Sequence, residues 1–130
     1  MTTRLSARIA SAVLATGAAA AISLAGAAGA QAGPPASTPL PPGAGTCTPS
    51  EYANSQVRGD AYATNDGAKF KLVRNGQVIY NTPSRSNAWF IELRSSYGTF
   101  PGPGYYSLCA QNTGNANTIV TLQLRTDYAF

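Results

Sequence analysis

The stretch that decides the fold is KFKLVRNGQVIY, residues 69–80. In its first half Phe70 and Leu72 alternate with lysines, and this period of two is typical of a half-buried strand. The dipeptide Asn75-Gly76 follows, and it readily supplies the positive φ values that a type I′ turn requires. Because residues 77–80 then return as a second strand-like run, the stretch predicts a β-hairpin.

The same alternation recurs on both sides of the hairpin, with turn signals such as Asn65-Asp66-Gly67 and Thr113-Gly114-Asn115 between the runs. The further predicted strands are Val57–Ala63, Trp89–Arg94, Tyr105–Gln111 and Val120–Leu124. No stretch after Cys47 has a convincing helical period. About six short strands at this spacing predict an all-β fold, a small antiparallel sandwich or alternatively another small barrel or sandwich.

The chain before the strands divides into two segments. Residues 1–32 carry Arg4 and Arg8 near their start, continue with an Ala-rich apolar run and end in Ala30-Gln31-Ala32, which predicts a cleaved signal peptide and export. A retained membrane anchor is the alternative, but small polar residues dilute the run and no basic cluster follows it. Residues 33–46 contain five prolines and predict a flexible linker, so the folded domain is expected at 47–130.

The two cysteines, Cys47 and Cys109, flank most of that domain. Small exported domains often need a covalent crosslink, and an oxidising compartment favours its formation. We therefore expect a Cys47–Cys109 disulfide, with two free thiols as the alternative. Two cysteines without any histidine make a metal site a poor alternative.

Residues 106–112, YSLCAQN, together with Gly114 and the alternating run 120–122, resemble the last two strands of an immunoglobulin-like domain. Residues 72–76, LVRNG, similarly resemble the third strand of that family and its turn. The resemblance covers residues 70–124 and implies a two-sheet sandwich in which a Gly-containing hairpin joins the last two strands.

Two core positions depart from that family. Leu108 stands where the family has its inter-sheet cysteine, and Leu72 stands where it has a tryptophan. Cys109 comes one residue later and should face the opposite side of its strand. The expected disulfide would then lie on an outer face or edge instead of crossing the core.

Composition argues against catalysis and against several partner classes. The chain has no histidine, and its acids are scattered without a glycosidase or protease motif. No phosphate-binding, dinucleotide-binding or calcium-binding motif is present, so no cofactor is expected. Residues 33–130 contain seven basic and five acidic residues, too few cations for a nucleic-acid surface. We also expect no stable membrane insertion after cleavage of the signal.

Aromatic residues are the leading candidates for ligand contact. Tyr97 and Phe100 lie in the Gly/Pro-rich loop 95–104, where no strand phase obliges them to be buried. They could instead fold back as a plug over the end of the sandwich. Trp89 and Tyr106 share the phase of apolar neighbours and are expected in the core. The Arg58-Gly59-Asp60 tripeptide falls inside a predicted strand, which argues against a loop-tip adhesion role.

Basic residues offer a second candidate. Lys69, Lys71 and Arg74 could form a cationic stripe for an anionic glycan, or simply the polar side of an ordinary strand. The function that fits all these features is a secreted non-catalytic binding module for an extracellular protein or glycan, released or loosely held at the cell wall. The alternatives are an inhibitor of an extracellular hydrolase, a small envelope or adhesion protein, and a small Asp/Glu hydrolase.

Overall fold

A computed structural model describes residues 36–130, apart from the side chain at position 128. Within this part of the chain nine β-strands follow one another, with one 3₁₀ turn after β7 and another after β9. The strands are β1 Ala36–Leu40, β2 Gly45–Cys47, β3 Glu51–Ala53, β4 Gln56–Ala63, β5 Lys69–Arg74, β6 Gln77–Asn81, β7 Ala88–Arg94, β8 Gly104–Gln111 and β9 Thr118–Thr126, and the 3₁₀ turns are Ser95–Tyr97 and Asp127–Ala129.

The strands form two antiparallel sheets packed face to face. One sheet has the order β1-β9-β4-β7, and the other has the order β2-β8-β5-β6 with β3 also paired to β8. This arrangement confirms the prediction of an all-β antiparallel sandwich. The longer strands, such as β5, β8 and β9, send alternate residues into the layer between the sheets, as a half-buried strand must.

The predicted hairpin over Lys69–Tyr80 is confirmed. Strands β5 and β6 pair in antiparallel register, with a bulge between Leu72 and Val73. Asn75 and Gly76 both have positive φ angles, 48° and 82°, which matches the requirement of a type I′ turn. The chain reverses here because Asn and Gly adopt this conformation at little steric cost.

The core is built from the apolar phase of the alternating strands. Phe70, Leu72 and Tyr106 are fully buried, as their sequence phase predicts. Leu108 of β8 crosses the layer and approaches Gly59 of β4: a Cβ atom on Gly59 would lie 3.2 Å from Leu108 Cδ1. The leucine side chain therefore fills the space that a larger residue at position 59 would need.

The predicted flexible linker over 33–46 is wrong for its described part, residues 36–46. Strand β1 pairs with β9 at the edge of its sheet, and Leu40 is only 3% exposed. An edge strand leaves one row of backbone groups unpaired, so it can accept Pro39 without losing a ladder hydrogen bond. The folded unit thus begins by Ala36 and not at Cys47, and the composition of the segment gave no sign of this.

Strands β2 and β3 are two halves of one interrupted edge strand. Both pair with β8, β2 opposite residues 109–111 and β3 opposite residues 104–106. Pro49 lies in the gap, where Thr48 bridges to β8 through its backbone N–H bond to the Leu108 carbonyl oxygen, 2.8 Å. This interruption makes it harder for the edge of the sheet to pair with a strand of another chain. Short strands of this kind are also below the length that periodicity can detect.

The last two strands depart from the arrangement that the immunoglobulin resemblance implies. Strand β8 lies in the five-stranded sheet, whereas β9 crosses over and inserts between β1 and β4. Asn112 organises the crossover: its side-chain amide donates to the carbonyl oxygens of Leu40 and Ala116 and accepts from the Gly114 N–H. The predicted hairpin between these strands is therefore wrong, since the buried amide turns the chain towards the other sheet.

The predicted signal peptide, residues 1–32, lies outside the described residues and stays a prediction. In the described part of the chain, no helix has the length and hydropathy needed to cross a membrane.

Candidate functional site

The expected disulfide is present and lies on the outside of the sandwich. Cys47 of β2 and Cys109 of β8 are direct partners in the ladder, with Cα atoms 4.0 Å apart. Because Leu108 points into the core, its neighbour Cys109 must point outward. The crosslink joins two adjacent strands of one sheet, and its position on the outer face confirms what the sequence phase of Cys109 predicts.

A groove runs beside the disulfide across the outer surface of the five-stranded sheet. Its volume is about 450 Å³, and Lys71, Val73 and Val78 stand on the side opposite the disulfide. Thr46 and Gln111 also line the groove, so its walls combine aliphatic side chains and sulfur with two neutral polar side chains and a single ammonium group. A concave, mostly apolar surface with one charged group is the usual character of a ligand site.

Two tyrosines extend this surface along the same strands. Tyr52 and Tyr105 are ladder partners on β3 and β8, and their rings pack edge to face with centroids 5.3 Å apart. Tyr105 is 53% exposed, so half of a large amphipathic side chain faces solvent. We call the surface formed by Tyr52, Tyr105, Val73, Val78, the disulfide, Lys71 and Lys69 the groove face.

The groove face has cations but no acids in the described part of the chain. Lys71 lies opposite Cys109 and Lys69 opposite Gln111, so both ammonium groups belong to one row at the far end from the tyrosines. Neither lysine has an ion-pair partner within 4.0 Å among residues 36–130. Arg74, the third member of the predicted stripe, turns away and donates to the Pro103 carbonyl oxygen.

The outer surface of the other sheet also carries an aromatic pair, but its charges are paired. Tyr62 and Phe90 pack edge to face with centroids 5.4 Å apart. Beside them lie three arginines and two acids. Asp60 binds Arg58 at 3.1 Å and Arg125 at 3.7 Å, while Glu92 binds Arg58 at 3.6 Å and also Arg94. We call this surface the arginine face.

The two loop residues predicted as ligand contacts have different environments. Tyr97 is 64% exposed, and the Arg94 guanidinium lies over its ring at 5.5 Å. Phe100 is half-buried and stacks on the core residue Tyr106, with centroids 5.8 Å apart. Phe100 therefore acts as the plug that the sequence allowed as an alternative, and Tyr97 alone projects from the loop.

Hydrogen bonds from the core hold this loop in place. The Tyr106 hydroxyl donates to the Gly102 carbonyl oxygen at 2.6 Å, and Arg74 Nη2 donates to the Pro103 carbonyl oxygen at 2.9 Å. Burial raises the pKa of the Tyr106 hydroxyl, and the nearby Arg74 charge opposes that rise. The bend before β8 is therefore fixed by a side chain of the neighbouring strand β5, Arg74, and by one of β8 itself, Tyr106.

Glu51 is a buried acid that the sequence did not single out. It lies opposite Tyr106 on β3, faces the core and is 7% exposed. Its Oε1 atom has no hydrogen-bond partner in the described part of the chain. Burial raises the pKa of the Glu51 carboxyl to about 7 because desolvation disfavours the charged form. Within residues 36–130, Glu51 does not belong to any group of three or more acids or cysteines that could hold a metal ion.

The sequence alone does not single out Tyr52, Tyr105, Tyr62 and Phe90 as ligand contacts. The phase of three of them nevertheless indicates a surface position: Phe90 shares the polar phase of β7 with Glu92 and Arg94, Tyr62 occupies the polar phase of β4, and Tyr105 is out of phase with the core residue Tyr106. An aromatic residue in the polar phase of a strand must face solvent unless another layer covers it. Tyr52 had no such signal because β3 is only three residues long.

The sequence matches no protein-family model and no curated protein.

Proposed function

We propose that the protein is a secreted, non-catalytic binding module that holds an extended ligand along its groove face. The observation that carries this proposal is the alignment of the groove with the Tyr52–Tyr105 pair along one strand, β8. Outward residues of β8 from Tyr105 to Gln111 span roughly 20 Å at the usual strand rise. A ligand lying along that line would contact aromatic, aliphatic and cationic groups in turn.

The rigid sandwich and the composition of the chain both support ligand binding without catalysis. The groove face is held by a nine-stranded sandwich and a crosslink across β2 and β8, so little ordering entropy would be lost on binding. The absence of histidine from the chain removes the commonest general base. On the arginine face, Asp60 and Glu92 are committed to ion pairs with arginines. The disulfide is consistent with export to an oxidising compartment.

The test compares two tyrosines with nearly equal exposure. Tyr105→Ala removes an aromatic ring from the groove face, and Tyr62→Ala removes one from the arginine face; the wild-type side chains are 53% and 51% exposed. Retardation in gels cast with soluble neutral or anionic polysaccharides provides the readout. We expect Tyr105→Ala to weaken retention at least about tenfold, the usual scale for a central aromatic contact, and Tyr62→Ala to retain it.

If Tyr62→Ala abolished retention while Tyr105→Ala did not, the ligand would lie on the arginine face and the proposal would fail. Thermal unfolding of both variants checks that neither loses its fold.

A second function, inhibition of an extracellular hydrolase, is favoured by the pre-ordered loop 95–104. Phe100, Gly102 and Pro103 are anchored to the core, while Tyr97 projects at its tip beside a left-handed Gly98. A loop already fixed in shape loses little entropy when it enters an enzyme cleft. Addition of the protein to secreted glycosidases and proteases tests this function, and Tyr97→Ala should abolish any inhibition found.

A further inference from the structure

We infer that the ligand of the groove face is an anionic glycan, a chain in which sugar rings carry carboxylate or phosphate groups. This inference rests on the proposed function for its site and on a separate observation for its chemistry. That observation is the segregation of unpaired charge between the two faces.

None of the five acids of the described chain forms an ion pair with Lys69 or Lys71, and four of them belong to other parts of the fold. Glu51 faces the core, Asp60 and Glu92 belong to the arginine face, Asp66 lies in the turn before β5, and Asp127 lies in the final 3₁₀ turn. The Asp127 carboxylate is occupied by backbone N–H groups of the turn between β3 and β4. Among the described residues no acid lines the groove, and the nearest one along the chain is Asp66, in the exposed turn three residues before Lys69, so Lys71 and Lys69 set the field at the groove.

The two lysines are placed to act together with the groove. Both Lys69 and Lys71 are half-buried, so their methylene chains lie on the sheet while the ammonium groups reach solvent. Lys71 lines the groove itself, and Lys69 continues the row by two residues along β5. A negative group bound here would meet two ammonium groups and no opposing carboxylate, an arrangement that selects for charge sign.

The two tyrosines at the end of the groove face far from the lysines favour a ligand that also has sugar rings, and not a simple anion. Tyr52 and Tyr105 offer ring surfaces with hydroxyl groups, which suit the mixed apolar and hydroxylated surface of a sugar. A nucleic acid would need a denser basic surface than two lysines. An acidic peptide would match the lysines but would make no use of paired aromatic rings beyond general packing. The combination therefore favours a polymer of charged sugars.

The decisive experiment titrates the oxidised protein with two polysaccharides of similar length, polygalacturonate and a neutral galactan. We expect binding to polygalacturonate, at least about tenfold weaker binding to the galactan, and a marked loss of affinity as salt screens the lysines. A phosphomannan, whose sugar rings carry phosphate groups, and polyglutamate form two further arms. The first reports whether phosphate replaces carboxylate, and the second reports whether the sugar ring is needed.

Matched charge variants locate the interaction. Lys71→Gln should weaken binding to polygalacturonate at least about tenfold and Lys69→Gln should weaken it less, whereas Arg125→Gln on the opposite face should leave it unchanged. Equal binding of Lys71→Gln and wild-type protein, or equal binding of polyglutamate and polygalacturonate, would overturn the inference.

Failure of the inference can be distinguished from failure of the proposed function. If the galactan bound as tightly as polygalacturonate and Tyr105→Ala abolished both, the site would stand and the charge selection would be wrong. If no polymer bound and Tyr105→Ala changed nothing in any assay, the site itself would be refuted.

Discussion

The two outer faces of the sandwich carry nearly the same aromatic pair in opposite electrostatic settings. Ring centroids are 5.3 Å apart in Tyr52–Tyr105 and 5.4 Å apart in Tyr62–Phe90, and both pairs pack edge to face. On the arginine face every arginine has a carboxylate partner, whereas the groove-face lysines have none among the described residues. Charges that are already paired hold a surface together, and unpaired charges are available to a ligand.

The faces also differ in how their strands are held. The arginine face is built on β4 and β9, which pair over seven residues, Val57 to Ala63. The groove face ends at the interrupted strand formed by β2 and β3, each three residues long. The disulfide crosslinks this edge, and the Glu51 carboxyl is buried on its inner side. Three perturbations test these differences, in order of decreasing effect.

Loss of the disulfide should have the largest effect. The crosslink spans 62 residues, and closing a loop of that length restricts the unfolded chain by about 4 kcal/mol in the chain-entropy model. We expect Cys47→Ser/Cys109→Ser to lower the free energy of unfolding by that amount in urea titrations. Hydrogen exchange should accelerate in β2 and in the adjoining part of β8 before it does in β4 and β9.

Two results would contradict this difference between the two faces. If exchange accelerated first on the arginine face, or if the double variant unfolded at the same urea concentration as the oxidised protein, the edge of the groove face would not depend on the crosslink. Reduction of the wild-type protein with a dithiol provides a control without any substitution.

Titration of Glu51 should have the next largest effect. The pKa of this carboxyl rises from 4.5 to about 7 on folding, so the folded state binds the proton more tightly than the unfolded state. The corresponding stability is fully present below about pH 4.5 and is lost as pH rises through 7. At 1.36 kcal/mol per unit, the protein should be less stable at pH 8 than at pH 4 by at most about 3 kcal/mol.

Glu51→Gln should remove most of this pH dependence and stabilise the protein at pH 8, because the amide cannot ionise in the buried position. The matched control is Glu92→Gln on the arginine face, which loses exposed ion pairs worth about 1 kcal/mol or less and should keep the pH dependence. Urea unfolding of the three proteins at pH 5 and pH 8 gives the measurement. An unchanged pH profile in Glu51→Gln would show that its carboxyl is hydrated in solution.

The sequence predicts the centre of the fold better than its margins. The strands from β4 to β9 were each recognised, because each is long enough to show alternation and is bounded by turn residues such as Asn75-Gly76. Strand β1 was missed because Pro39 reads as linker, and only pairing with β9 makes it an edge strand. The crossover into β9 was missed because it depends on the buried contacts of Asn112, which no local pattern encodes.

The candidate site was predictable in its parts but not as a surface. The sequence indicated the outward disulfide and the stripe of Lys69 and Lys71, since both follow from strand phase. It could not bring them together with Tyr52, which reaches the same face only because β3 pairs with β8. The comparison of the two faces likewise needs the ladder register that places Arg58 opposite Glu92.

The smallest expected effect on stability comes from removing the acids of the arginine face, which would give that face unpaired cations like those of the groove face. Asp60→Asn/Glu92→Gln removes both carboxylates of the arginine face and leaves Arg58, Arg94 and Arg125 without their acidic partners. Asp60 itself is only 7% exposed, but its partners Arg58 and Arg125 are about one-third exposed and can be hydrated, so stability should fall by only about 1–2 kcal/mol. If unpaired cations beside an aromatic pair suffice for binding, the variant should gain salt-sensitive affinity for polygalacturonate through Tyr62 and Phe90.

This gain is best measured in a background that lacks the original cations, Lys69→Gln/Lys71→Gln. There the two acid substitutions should restore polygalacturonate binding by about tenfold, and a further Phe90→Ala should remove it again, because the ring supplies the apolar contact. If the arginine face, with its cations no longer paired, gave no binding, the groove between the disulfide and Val78 would be indispensable. The arginine face offers an aromatic pair and cations but has a different shape. The two faces would then differ by concavity and not by charge alone.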